Sequence, residues 1–233
     1  MEDTKNLNIS KLGTKQYWDE FYSLERNNFS KNSNDTGECW FNDNDAEERM
    51  IEFLEDNLGM YLISKKSSML DLGTGNGHLL FELIENGFDE GKLLGIDYSE
   101  ESVKFAKEIS NSKEYSKELI DFKQADIFQE NWLPDKFDIV LDKGTLDAIA
   151  LSGIKVGPNK DQNVVNIYNK VIEKLLPKDG VFLITSCNFT EDELIEIIEK
   201  NSTLKCWETV PYPVFEFGGV KGTTICTVAF VKQ

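Results

Sequence analysis

The 233-residue sequence predicts one doubly wound α/β domain, with a seven-stranded, mostly parallel sheet covered by helices on both faces. Three observations predict it. Short apolar segments alternate with segments whose apolar residues recur at helical spacing. A turn containing three glycines leaves the first apolar segment and opens a helix. The last two apolar segments follow one another with no long helix between them, which makes the final strand antiparallel and sets it at the sheet edge.

Residues 1–45 form an Asn- and Ser-rich lead with two aromatic knots, Tyr17 to Tyr22 and Cys39 to Phe41. The stretch NNFSKNSNDTGE between them has loop composition. Knots this aromatic do not dangle in water, so the lead is expected to lie back on the domain, residues 46–233. Met50, Ile51, Phe53, Leu54, Leu58 and Tyr61 then mark a helix. Ser68 to Leu72 is a short strand, His78 to Asn86 a helix, and Lys92 to Asp97 a second strand. Ser99 reads as an N-cap, with Glu100 and Glu101 where the helix dipole favours acids, for a helix to about Ser110. Phe122 to Ala125 and Phe137 to Leu141 are the next strands, and Val164 to Leu175 is a helix halted near Pro177. Gly180 to Thr185 is a fifth strand, and Thr190 with Glu193 forms a capping box for a helix to Lys200. Lys205 to Val210 and Thr223 to Val231 close the sheet. Right-handed crossovers are expected for the parallel part.

With 25 Lys+Arg against 42 Asp+Glu, the net charge is −17. That excludes a nucleic-acid backbone as the expected partner, because phosphate binding needs a basic footprint. It suits basic proteins or peptides, although acidity also serves solubility alone, and it favours a monomer. No apolar run reaches the roughly 18 residues of a membrane span, and the polar start lacks a signal-peptide core. Cys39, Cys187, Cys206 and Cys226 form no CxxC pair, and His78 is the single histidine, so no metal site is expected. These features together predict a cytoplasmic, metal-free protein.

The chemistry concentrates in Asp71-Leu72-Gly73-Thr74-Gly75-Asn76-Gly77. In a doubly wound sheet, ligands bind at the carboxyl ends of the strands, and the first strand-to-helix turn is the usual cradle. Glycine there lets a ligand approach the backbone. Asp97 ends the next strand about 20 residues past Gly77, where a carboxylate can accept from both hydroxyls of a ribose. The plainer reading, Asn76-Gly77 as a turn signal, leaves that spacing to coincidence. The dinucleotide fingerprint wants a glycine where His78 stands, and Asp71 is a poor neighbour for a pyrophosphate. Both departures point from NAD toward an amino-acid nucleoside.

These residues resemble the class I S-adenosylmethionine-dependent methyltransferases, whose Rossmann-like sheet has seven strands. DLGTGNG is similar to their first motif, GIDYS to their acidic second-strand end and QADI to the loop flanking the adenine. FDIVLDKGTLDAI is similar to their fourth strand and the residues just after it. The resemblance spans roughly residues 65–232. TKQYWDEFY, GECWF, LDKGTLDAI, SCNFT and FEFGG further resemble the eukaryotic lysine methyltransferases that act on translation elongation factor 1-alpha. The resemblance implies S-adenosylmethionine as cofactor. It implies that Gly73, Gly75 and Gly77 approach the methionine part, with Asp71 near its amino group. By the same resemblance Asp97 holds the ribose, Tyr98 packs near the adenine, Asp126 accepts from its amino group and Ile127 covers the ring. Leu141 and Asp142 lie beside the methyl group, and Trp40 is counted among the cofactor contacts.

Asp142-Lys143-Gly144-Thr145 replaces the [DN]PP[YF] signature of base and glutamine methyltransferases, so lysine is the better acceptor. At pH 7 only roughly one lysine in two thousand is neutral, and a carboxylate is needed to guide the ammonium and receive its proton. Asp142 ranks first and Asp147 second, the latter reading equally as a polar helix-start residue. Tyr17, Trp18, Trp40 and Phe215 can line the channel by cation–π contact or merely pin the lead to the core. His78 reads as helix packing, and Lys143 and Lys221 as surface charges. A small-molecule methyltransferase and a non-catalytic nucleoside-binding module are the alternatives.

Overall fold

A computed structural model describes residues 8–129, 132, 135–156, 162–213, 215–217 and 220–233; the side chains of 156, 215–217, 220 and 221 lie outside the described set. The lead carries helix α1 (Lys15–Lys31), and α2 (Ala46–Asp56) follows. Then come β1 (Met69–Leu72), α3 (His78–Glu85), β2 (Leu93–Asp97), α4 (Glu100–Ser112), β3 (Ile120–Gln124), β4 (Ile139–Lys143) and α5 (Thr145–Leu151). A small ribbon, β5 (Lys155–Val156) with β6 (Gln162–Asn163), leads to α6 (Val165–Leu175), β7 (Val181–Ser186), α7 (Glu191–Glu199) and β8 (Leu204–Val210). A second ribbon, β9 (Phe215–Phe217) with β10 (Val220–Gly222), leads to β11 (Cys226–Lys232).

The main sheet has the order β3-β2-β1-β4-β7-β11-β8. Pairs among β3, β2, β1, β4 and β7 are parallel, and β11 is antiparallel to both β7 and β8. The antiparallel strand is therefore not at the edge, as its place at the chain end suggested. Apolar content decides the slot: β11 is buried along Cys226 to Val231, whereas β8 carries Lys205 and Glu208 and is mostly half-exposed. The more apolar strand takes the inner position.

Strand alternation sorts the side chains onto two faces. Met69, Leu93, Ile139 and Leu141 pack with α2, α3 and α4, while Leu70, Leu72, Ile96 and Val140 pack with α5, α6 and α7. Asp71, Asp97 and Lys143 share the parity of the first set, and Asp142 that of the second.

The lead departs from its loop composition. Thr14 caps α1 by accepting from Tyr17 N, and the helix continues through Asn27, Asn28, Phe29 and Ser30. Packing overrides local preference: Phe29 meets Phe105 edge-on at 5.7 Å, and Arg26 pairs with Glu101 and Glu108 of α4. Ahead of α1, Ser10 N donates to Leu151 O at 3.0 Å. Gly13 lies so close to α5 that a Cβ would fall 2.3 Å from the Leu151 carbonyl carbon and Ser152 nitrogen. We expect Gly13→Ala to lower stability by about 1–3 kcal/mol and to expose the lead to protease. Urea denaturation and limited proteolysis check this, and wild-type behaviour in both would contradict the packing.

Candidate active site

A cavity of about 450 Å³ opens where β1, β2, β3, β4 and β7 end, beneath α1 and the segment 38–41. This is the size of a small-molecule site. Its floor is the turn after β1, where Gly73, Gly75 and Gly77 adopt left-handed φ values of 63°, 57° and 82°. A Cβ on Gly73 would fall 2.1 Å from Thr145 Oγ1, and one on Gly75 2.4 Å from the Tyr22 hydroxyl. Gly73 and Gly75 line the cavity. Gly77 does not: it seats the start of α3 against Phe122, at 2.8 Å from a hypothetical Cβ, so its need is packing.

Asp97 is 6 % exposed, and its carboxylate accepts from Gly75 N at 3.1 Å and Ser99 N at 2.8 Å. Burial raises its pKa while those amides pull it down. Burial also pushes the Asp71 carboxyl up to about 7. Tyr98, Asp126 and Ile127 stand beside Asp97 in the wall, and Asp126 Oδ1 accepts from Phe128 N at 3.0 Å.

Asp147, not Asp142, is the one of the two that stands in the cavity wall. Asp142 is fully buried on the far face of the sheet and lines no part of the cavity. Its carboxylate accepts from Thr145 N at 2.7 Å, Leu146 N at 3.1 Å and the Tyr168 hydroxyl, so it fastens the start of α5. Leu141 is likewise sealed in the sheet and absent from the wall. Asp147, one turn into α5, does line the cavity. It accepts from Ser186 Oγ at 2.6 Å, Asn188 N at 2.9 Å and Cys187 N at 3.1 Å. These donors favour the carboxylate, against burial, which lifts its pKa.

Of the aromatic candidates, Trp18 and Trp40 line the cavity with ring centroids 5.2 Å apart. Trp18 Nε1 donates to Leu12 O at 2.7 Å, while the buried Trp40 indole N–H has no partner among the described residues. Tyr17 is not in the wall; its ring lies 5.2 Å from Lys11 Nζ. The Phe215 and Lys221 side chains lie outside the described residues.

Sequence reasoning missed a charged cluster. Lys143, read as a surface charge, keeps only 14 % of its side chain exposed; Nζ donates to Trp40 O at 2.9 Å and lies 3.3 Å from Glu47 Oε1. Glu47 Oε2 bonds His78 Nδ1 at 2.6 Å, so His78 does more than pack a helix. Cys39 and then Glu47 push the imidazole up to about 10, so it is cationic at neutral pH. Cys39, Glu47 and His78 each bring an atom of metal-ligating type within 4.8 Å of the others. The 2.6 Å Nδ1–Oε2 separation is a hydrogen bond's length, shorter than the roughly 3.3 Å between two ligands on tetrahedral zinc. The signal available beforehand was parity: Lys143 comes one residue after Asp142 and so faces the ligand side.

Asp142 also yields a pH test. Burial pushes its carboxyl up to about 7, so the folded chain holds a proton there that the unfolded chain releases near 4. Its contribution to stability falls as pH rises from about 4 to about 7 and is flat above. The stability advantage of wild type over Asp142→Asn should therefore be smaller at pH 8 than at pH 5. Urea melts of both proteins at the two pH values check it, and an advantage that grew with pH would refute the assignment.

Among the described residues, no helix is long and apolar enough to cross a membrane. The family described as "Methyltransferase domain" matches residues 63–219. The protein-lysine N-methyltransferase EFM4 of Saccharomyces cerevisiae is 60 % identical over 233 residues, covering all of both chains. EEF1A lysine methyltransferase 2 of Homo sapiens is 34 % identical over 96 % of this chain and 88 % of its own. Among solved structures, magnesium protoporphyrin IX methyltransferase from Synechocystis shares the fold at a TM-score of 0.55 and 15 % identity, over 91 % of this chain and 97 % of that one. With its sheet order, its glycine turn and these relatives together, the chain belongs to the class I S-adenosylmethionine-dependent methyltransferases, in the group that includes the protein-lysine N-methyltransferases.

Proposed function

We propose that this chain transfers a methyl group from S-adenosylmethionine to a lysine of translation elongation factor 1-alpha. The whole-length likeness to lysine methyltransferases supports the choice of acceptor. The observation within the molecule that carries the reading is a single cavity with Asp97 on one side of β1 and Asp147 across it.

The residues present fit the cofactor. Two glycines leave the turn without side chains, and a carboxylate has about four acceptor sites, of which the amides of Gly75 and Ser99 engage two on Asp97. The remaining two suit a ribose diol, and Tyr98 and Ile127 offer apolar surface for a base. When bound, the cofactor supplies an electrophilic methyl group on a sulfonium. The chain's part is alignment, exclusion of water and removal of a proton. Trp18 and Trp40 orient an incoming ammonium by their ring faces, and Asp147 pairs with it. Burial raises the Asp147 pKa toward the range useful for a base, so its carboxylate can receive the lysine proton before displacement at the methyl carbon. The proposal extends to a cytoplasmic monomer with no nucleic-acid or membrane partner, supported by the −17 charge.

Purified protein, radiolabelled S-adenosylmethionine and elongation factor 1-alpha test the reading. Label on one lysine, located by mass spectrometry, is expected; a labelled small molecule with unlabelled protein would overturn it. Two variants separate the roles. Asp97→Asn should weaken S-adenosylhomocysteine binding roughly 10- to 100-fold by calorimetry. Asp147→Asn should keep that affinity within about threefold while slowing methyl transfer at least about 100-fold. Equal losses of affinity in both would make Asp147 a cofactor residue.

A further inference from the structure

Asp147 is held by donors from the turn after β7, and its two oxygens are not held alike. Oδ1 accepts from Ser186 Oγ at 2.6 Å and from Asn188 N at 2.9 Å, whereas Oδ2 accepts only from Cys187 N, at 3.1 Å, among the described residues. A carboxylate oxygen has about two acceptor sites, so Oδ1 is filled and Oδ2 keeps one. Oδ2 also lies on the Gly144 side, 3.8 Å from where a Cβ on that residue would stand, and Gly144 lines the cavity with no side chain of its own. Ser186 is fully buried and forms no part of the cavity wall. Away from water, its hydroxyl hydrogen goes to Asp147, while its oxygen accepts from Asn188 N and Phe189 N, both at 3.2 Å. An O–H donor this close to an ionised oxygen makes a strong, charge-assisted bond.

We infer that Ser186 is a positioning residue for methyl transfer: its hydroxyl occupies Oδ1 of Asp147 and leaves Oδ2 as the oxygen that meets the acceptor nitrogen. The inference deepens the proposed lysine methylation and rests on it. The acceptor's ammonium gives one proton to Oδ2, and the electron pair left on nitrogen then attacks the methyl carbon. Holding Oδ1 keeps the carboxylate from rotating, so Oδ2 stays turned to the cavity. It also stabilises the ionised form against the burial that lifts its pKa. The turn has other ties: the Cys187 and Asn188 amides donate to Asp147 directly, and Cys226 Sγ donates to Phe189 O at 3.2 Å. Loss of the hydroxyl thus removes one donor from Asp147 without releasing the turn. The titratable groups that sense Asp147 are Asp142 at the end of β4, Tyr168 of α6, Cys187 in the turn and Cys226 of β11, and all remain in place.

Methyl transfer to elongation factor 1-alpha at subsaturating acceptor, followed from about pH 5 to about pH 9, tests this. The acceptor's own ammonium makes the rate rise with pH throughout, and protonation of Asp147 adds a steeper acid limb. Ser186→Ala should move the break between the limbs up by about one pH unit, with a loss of about 10-fold below the break that shrinks above it. Ser186→Thr, which keeps the hydroxyl, should hold the break at the wild-type pH. Affinity for S-adenosylhomocysteine by calorimetry should stay within about threefold in both variants, which a collapsed turn would not allow. A Ser186→Ala loss that is the same at every pH, or a break that moves equally in Ser186→Thr, would overturn the assignment. A wild-type profile without a break, or full activity in Asp147→Asn, is a different result. It would remove Asp147 as the base and this inference with it, while label on the lysine would still uphold the methyltransferase reading.

Discussion

The site depends on the hydrogen bond between the Gly75 amide and Asp97. The turn after β1 passes three times through left-handed backbone, which only glycine adopts without strain. Such a turn needs something to fix it, and the buried Asp97 carboxylate does so from the next strand while also holding Ser99 N at the start of α4. Ser99 in turn donates from Oγ to Asp19 of α1 at 2.7 Å, and Ser102 Oγ donates to Gly75 O at 2.7 Å. One carboxylate thereby links the glycine turn, two strands and the lead. Asn76 extends the link by donating to Thr36 O at 3.0 Å and Glu38 O at 3.3 Å, which sets Trp40 over the cavity.

Sheet parity explains which acids serve the site. β1, β2 and β4 run parallel in register, so Asp71, Gly95 and Leu141 lie side by side and face one way. Asp142 faces the other, where α5 and Tyr168 consume its oxygens. The next usable carboxylate is Asp147, brought back to the cavity by the first turn of α5 and fixed by the turn after β7. Asp97 and Asp147 thus sit on opposite flanks of the glycine turn.

Much of this was legible in the chain. Ser99 caps α4 and Thr190 with Glu193 forms the capping box of α7, because both rest on contacts within a few residues. The glycine turn and Asp97 were legible because their spacing along strand and loop fixes their place, and Asp126 through the resemblance of QADI to the family's adenine-flanking loop. The features that were not legible depended on partners distant in sequence. Asn27 to Lys31 is helical because Arg26 and Phe29 find α4. The inner slot of β11 comes from competition with β8. Lys143 and His78 looked ordinary because Glu47, their shared partner, comes from a helix before the sheet begins. The orientation of Asp142 away from the cavity is, by contrast, encoded in its strand parity.

Hydrogen–deuterium exchange with and without S-adenosylhomocysteine tests most directly whether the glycine turn and the lead enclose one cofactor site. Slowed exchange is expected at residues 73–77 and 97–99 together with residues 12–41 of the lead. Protection confined to the turn, with the lead exchanging as in the free protein, would contradict a shared enclosure.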